Sequence, residues 1–182
     1  GVDWSRYGAL HLDGWSTDAA IVAAEKMRAT GGKVFLDLGS PKARLEELIS
    51  RVDHVNCPRR LFEKLFPGES SEVVSARFLA YGAESVSVTD GTQGSWMTTE
   101  KGTIHQSAFA IEAVDTNGAG DIFSGAMVFG LMQGWPHTDC LRFAAAAAAL
   151  KCQRLGNRGA LPSQAQVDSV LDGTSTGIES CQ

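Results

Sequence analysis

The segment Asp115-Thr116-Asn117-Gly118-Ala119-Gly120-Asp121 sets two glycines and two carboxylates directly before an apolar run. Ile122, Phe123, Ala126, Val128, Phe129 and Met132 recur at helical spacing, so a helix is expected to start near Gly120. First-turn N–H groups of a helix have no partner inside it, and the dipole adds about +0.5 charge at that end. Because Gly118 and Gly120 carry no side chain, an anion can reach those donors, which is how a phosphate cradle is built. Asp121 lies on the same first turn, where a carboxylate can take the proton of a hydroxyl attacking a phosphoryl group. The alternative is a Gly-rich turn and a capped helix with no ligand, because glycine and aspartate favour helix starts for local reasons. The loop alone does not separate the two readings.

Three neighbouring motifs are incomplete. Gly120 and Gly125 are spaced as in a Walker A loop, but Ala126-Met127 stand where it needs Lys and Ser/Thr. Gly118-x-Gly120 is followed by Phe123 where a dinucleotide fingerprint has its third glycine. Ser124 lacks the G-x-S-x-G elbow of a serine hydrolase.

Short strands alternating with helices are expected to position this loop. Strands are read at Ala9–Leu12, Val34–Leu38, His54–Asn56 and Ser85–Thr89. Helices are read over Ala19–Thr30 with Thr17 as N-cap, from Pro41 to about Ser50, over Leu61–Phe66 and over Glu72–Tyr81. That alternation implies a parallel sheet covered on both faces. Ser95–Thr99 and Thr103–His105, joined by a turn at Glu100-Lys101-Gly102, read as a hairpin. Helices follow at Asp121–Gln133, Asp139–Arg154 and Gln164–Leu171, and the polar stretch 173–182 reads as a flexible tail. Residues 1–172 thus form one domain.

Composition narrows the class. The chain has 182 residues, 43% of them hydrophobic and 20% charged, which fits a globular protein rather than a disordered one. Its net charge of −5 and the lack of a basic stripe disfavour nucleic acid and anionic membranes as partners. Cys57, Cys140, Cys152 and Cys181 show no CxxC spacing and read as thiols of a reducing, cytoplasmic compartment. The four histidines are scattered, which argues against a metal site, and Phe143–Leu150 is far shorter than the ~18 residues of a membrane span. Twenty glycines, about 11% against an average of ~7%, are the one excess.

Asp-Thr-x-Gly-Ala-Gly-Asp running into Ile-Phe-x-Gly-Ala resembles the C-terminal signature of the ribokinase-like (PfkB family) carbohydrate kinases. Other segments fit in order. Leu10–Gly14 and Leu36–Leu38 resemble the family's strands, and Thr89-Asp90-Gly91-Thr92-Gln93-Gly94 is similar to its T-x-G-x-x-G nucleotide loop. Leu141–Ala144 and Gly156–Pro162 resemble its adenine-side helix and the loop after it. The resemblance implies a three-layer αβα sandwich with a mainly parallel sheet, lacking the N-terminal part and its lid. It implies ATP-dependent phosphotransfer to a hydroxymethyl group of a sugar or sugar-like substrate, with Asp121 as general base and the N–H groups of Ala119, Gly120 and Asp121, after Gly118, as the anion hole. Thr89, Gly91, Gly94 and Asn56 would meet the nucleotide, Mg²⁺ would arrive with it, and Asp115 with the Gly156–Leu161 loop matches a monovalent-cation (K⁺) position. Relatives often pair through the lid, which implies a homodimer for a full-length protein.

Two departures stand against that pattern. The family often has Asn-x-x-Glu after its third strand, and here Asn56 is followed by Arg59, which holds no metal; it reads as a solvated surface residue, with direct contact to phosphate as the alternative. No sugar-binding or lid segment precedes Leu10, so the chain reads as a fragment or a natural truncation. Both favour an alternative function, a non-catalytic nucleotide-binding or scaffold remnant of the same fold. The sugar is not identified by these residues.

Overall fold

A computed structural model describes residues 1–173 and 179–180. It divides into two compact units, Gly1–Thr89 with Met97–Thr103, and Asp90–Trp96 with Ile104–Gln182.

In the first unit, β1 (Ala9–Leu12), β2 (Lys33–Asp37), β3 (His54–Pro58) and β4 (Ser85–Thr89) pair in parallel. The sheet continues through β5 (Ser95–Thr99) and β6 (Gly102–Gln106), and its strand order follows the chain. Its helices are α1 (Thr17–Ala29), α2 (Leu45–Ile49), α3 (Arg59–Leu65) and α4 (Ser71–Tyr81). Strand alternation gives this sheet two unlike faces. Leu36, Val55, Cys57, Val86 and Val88 point into an apolar core shared with Ala24, Leu48, Phe62 and Phe78 of the helices. Beside Phe35, the opposite positions are polar, and His54, Asn56, Ser85 and Ser87 among them are buried. His54 bonds Ser85 Oγ at 2.8 Å and Ser87 Oγ at 3.0 Å, Ser87 Oγ donates to Asn56 Oδ1 at 2.8 Å, and Asn56 Nδ2 donates to Asp37 Oδ1 at 3.4 Å. Each member touches a partner on its own or an adjoining strand, which is how buried polar groups avoid their desolvation penalty.

Most boundaries agree with the sequence to within one or two residues. The helix expected from Pro41 is the exception, because it starts only at Leu45, after a left-handed Arg44 (φ 52°). Arg44 pairs with both Asp18 and Glu47, and that pairing fixes a backbone turn where a proline-started helix was expected. Helix α1 begins at Thr17 itself, with Ser16 as the N-cap.

The second unit holds β7 (Phe109–Ala110), α5 (Ala119–Met132), α6 (His137–Cys152), α7 (Gln164–Leu171) and β8 (Glu179–Ser180). Its core joins Phe109, Phe143, Ala146, Ala147, Val167 and Val170. Helix α7 is closed by a capping box, with Ser163 and Gln166 each bonding the other's backbone. Glu179–Ser180 pairs antiparallel with Phe109–Ala110, so part of the stretch read as a flexible tail is a strand, and residues 174–178 and 181–182 lie outside the described residues.

Candidate active site

Helix α5 begins one residue before the position expected from its apolar spacing. Gly118 is its N-cap in the left-handed region (φ 78°), and a Cβ there would stand 2.9 Å from Asn157 Oδ1. Both conditions favour glycine. Ala119 N–H already donates to Thr116 O at 3.2 Å, leaving Gly120 and Asp121 with first-turn N–H groups that the helix itself does not partner. Gly120 and Asp121 are exposed, and a Cβ at Gly120 would meet nothing within 4 Å. Of the three donors the sequence suggests, two are therefore left without a partner inside the helix.

Asp121 stands at the rim of a cavity of about 280 Å³ within the second unit. Its walls are mainly apolar, from Ile122, Ala126 and Phe129 of α5, Phe143 and Ala147 of α6, and Leu161 before α7. Phe143, Leu161 and Pro162, from the two segments that resemble the family's adenine side, are among the lining residues.

Asp115 is held from several sides. Its Oδ1 accepts from Asn117 N–H and its Oδ2 from Gly156 N–H, each at 2.9 Å. The N–H groups of Val114 and Asp115 both reach Cys152 O at the end of α6, at 2.8 and 3.0 Å. Lys151, fully buried, sends its ammonium to Asp115 O at 2.7 Å and lies 3.4 Å from Asp115 Oδ2. The N–H donors of Asn117 and Gly156, with the nearby Lys151 charge, hold the Asp115 carboxyl below the usual aspartate range. This is the aspartate matched to a monovalent-cation position, and an ammonium already sits on it. A second positive charge about 4 Å from that ammonium would cost about 4 kcal/mol at an effective dielectric of ~20.

Thr89 ends β4, and the loop after it closes on itself through Asp90 N–H to Gly94 O (2.9 Å) and Gly94 N–H to Gly91 O (3.1 Å). The two loop glycines differ. A Cβ on Gly94 (φ 92°) would lie 2.2 Å from Gln106 O and 3.0 Å from Ala108 N, so this glycine lets two backbone segments approach. Gly91 (φ 52°) has nothing within 4 Å and is the open position. Beside them, His105 stacks on Trp96 at 4.6 Å and bonds Gln93 O at 3.1 Å.

Asn56 is buried, with both ends of its amide engaged by Ser87 and Asp37. Arg59 opens α3, is about half exposed and pairs with Glu63 one turn on at 3.6 Å, in keeping with a solvated surface residue. Sequence reasoning missed Lys151. A basic residue in the last turn of a helix is ordinary complementation of the dipole, and only the return of Asp115 onto that helix end reveals its role. Among the described residues, no helix is long and apolar enough to cross a membrane.

Comparison with known proteins bears on this geometry. Residues 5–164 match the family model described as pfkB family carbohydrate kinase. The ribokinase of Arabidopsis thaliana is 36% identical over 160 residues, which cover 83% of this chain and 41% of the relative. The ribokinase of Staphylococcus aureus is 30% identical, over 84% of this chain and 52% of the relative. Among solved structures, the ribokinase of Thermotoga maritima superposes with a TM-score of 0.83 at 28% identity, covering 94% of this chain and 60% of that one. Arabidopsis thaliana ribokinase complexed with ribose and ATP gives a TM-score of 0.81 at 29% identity, covering 92% and 57%. The chain thus spans about half the length of these curated relatives. A family match across residues 5–164 assigns the chain to the pfkB family of carbohydrate kinases.

Proposed function

We propose that the chain carries the nucleotide-binding and catalytic portion of a kinase that moves the terminal phosphoryl group of ATP to a hydroxymethyl group of a sugar or sugar-like substrate. The observation that carries this reading is the start of α5, where exposed Gly120 and Asp121 N–H groups and the Asp121 carboxylate share one helical turn beside a cavity.

In this reading Asp121 takes the hydroxyl proton as the substrate oxygen bonds to phosphorus and the bond to the ADP oxygen breaks. The Gly120 and Asp121 N–H groups neutralise charge that grows on the phosphoryl oxygens, an arrangement that needs no reorganisation because the helix holds the donors in place. Ala119 N–H acts one step removed, by closing the turn onto Thr116 that presents its neighbours. Mg²⁺ bound with the nucleotide supplies further charge neutralisation at its phosphate oxygens. Gly91 gives the phosphates an open stretch of backbone, Gly94 shapes that loop, and Asn56 orders the strand end through Ser87 and Asp37. ATP and the sugar are the partners under this reading, and pairing of a longer protein would be read from its molecular mass in solution.

The relatives named above support the reading, since they are ribokinases and that of Arabidopsis thaliana was solved with ribose and ATP. A second reading, a nucleotide-binding remnant without turnover, is favoured by Arg59 at the position where the family often has an acid. ADP release across a panel of sugars separates the two, assayed on this chain and on any longer polypeptide that contains it. Turnover that falls about 10²–10⁴-fold in Asp121→Asn supports the kinase. ATP binding with no turnover on any sugar supports the remnant.

A further inference from the structure

The buried Lys151 ammonium is the feature that the kinase chemistry leaves unused. It lies at the end of α6, touches the main-chain oxygen of Asp115 at 2.7 Å and stands 3.4 Å from its carboxylate. The same carboxylate holds Asn117 N–H, two residues into the glycine loop, and Gly156 N–H, in the loop after α6. One charged side chain on α6 thereby ties the two loops that border the start of α5. A monovalent metal ion bound by Asp115 would need the oxygens this ammonium already contacts, and it would meet a like charge at close range. The residues present therefore do not fit the ion that the family resemblance implies.

We propose that Lys151 is a positioning residue that stands in for a monovalent cation at Asp115, so that the loops Thr116–Gly120 and 156–161 hold their geometry without K⁺ or Na⁺. The catalytic consequence rests on the kinase reading above, whereas the consequence for folding does not. Lys151 gives its charge to the loop that carries the donors and approaches no reacting atom by itself.

Thermal melts of the 182-residue chain test this directly. They are run in KCl, NaCl and tetramethylammonium chloride at matched ionic strength, so that general screening is constant. The wild type is expected to melt at one temperature in all three salts. Lys151→Ala, which removes the charge and opens space, is expected to melt lower in tetramethylammonium chloride. It should then regain stability with a saturable K⁺ or Na⁺ titration, because an ion that binds only the folded state stabilises it by mass action. At about a hundredfold above the ion's dissociation constant the recovery should reach roughly 5–10 °C. Lys151→Met, which removes the charge but keeps the volume, is expected to lose stability with little recovery.

Saturable K⁺ or Na⁺ stabilisation of the wild type overturns the proposal, and so does a Lys151→Ala variant that gains nothing from either ion. If Lys151→Ala is unfolded in tetramethylammonium chloride, recovery of its fold in K⁺ or Na⁺ supports the proposal, and failure in every salt overturns it. In an active longer polypeptide, wild-type turnover should be indifferent to the salt and Lys151→Ala turnover should become cation-dependent. Absence of turnover in all salts would count against the kinase reading alone, since the melts decide the cation question separately.

Discussion

Gly120→Ala separates what the start of α5 does for stability from what it does for chemistry. Gly120 lies in the first turn of α5 with ordinary helical backbone, and a Cβ built there meets nothing within 4 Å. Replacing glycine by alanine in a helix then stabilises by about 0.5–1 kcal/mol, chiefly by narrowing the unfolded ensemble. For a chain of this size about 1 kcal/mol corresponds to roughly 2–4 °C, so the melting temperature should rise by about 1–4 °C. The same methyl group tilts toward the helix N-terminus, as every helical Cβ does, and so enters the space from which a phosphoryl oxygen must approach the N–H groups. Loss of one such donor costs about 2.7–4 kcal/mol of transition-state stabilisation, or 10²–10³ in kcat. The assay pairs thermal melts with ADP release in an active polypeptide that carries this chain. A variant that melts higher yet turns over at the wild-type rate would falsify the claim that substrate oxygens contact the backbone at this turn. A variant that melts lower would mean that the open space above Gly120 is filled in solution.

Two further expectations concern stability. Gly94→Ala should lose about 2–5 kcal/mol, from a left-handed backbone plus a Cβ driven against Gln106 O, whereas Gly91→Ala should lose only the ~1–2 kcal/mol of its φ. Denaturant midpoints measure both, and equal losses would contradict the difference in packing. The Asp115 carboxyl is held low by Asn117 and Gly156 N–H and by Lys151, so its stabilisation is complete above the unfolded-state pKa and disappears as pH falls through the lower folded value. Denaturant midpoints of wild type and Asp115→Asn should therefore differ at neutral pH and converge on acidification. A gap that widens in acid would reverse the sign.

Elements whose signals are local were legible in the sequence. Ala9–Leu12 and Ser85–Thr89 alternate between Gly or acidic breaks, and Gln164–Leu171 follows a serine that caps it, so all three have the bounds read from the residues. The start of α5 was legible for the same reason, because glycines and an apolar helical stripe meet within seven residues. Features set by distant partners were not. Arg44 takes its left-handed turn beside Asp18, which lies 26 residues away. Gly91 and Gly94 look alike until the 106–108 backbone is brought against one of them. The family resemblance places Ala119 in the anion hole with its two neighbours, but its bond to Thr116 forms only once the turn is closed. Asn56 matched a family position by type, and its engagement by Ser87 and Asp37 depends on the pairing of three strands.

That pairing has a consequence for how the chain finds its fold. In a parallel sheet with hydrocarbon on both faces, a strand can shift along its neighbour at modest cost, since one valine replaces another. Here Phe35 pairs with His54 and His54 with Ser85, while Asp37 pairs with Asn56 and Asn56 with Ser87. A slip of β3 by a single residue would turn His54 and Asn56 toward Leu36, Val86 and Phe78, and set Val55 and Cys57 among the serines. Each orphaned polar group would then cost about 1–3 kcal/mol. The polar face therefore acts as a key that admits one alignment of three strands, and it fixes the height at which Pro58 and Thr89 end side by side.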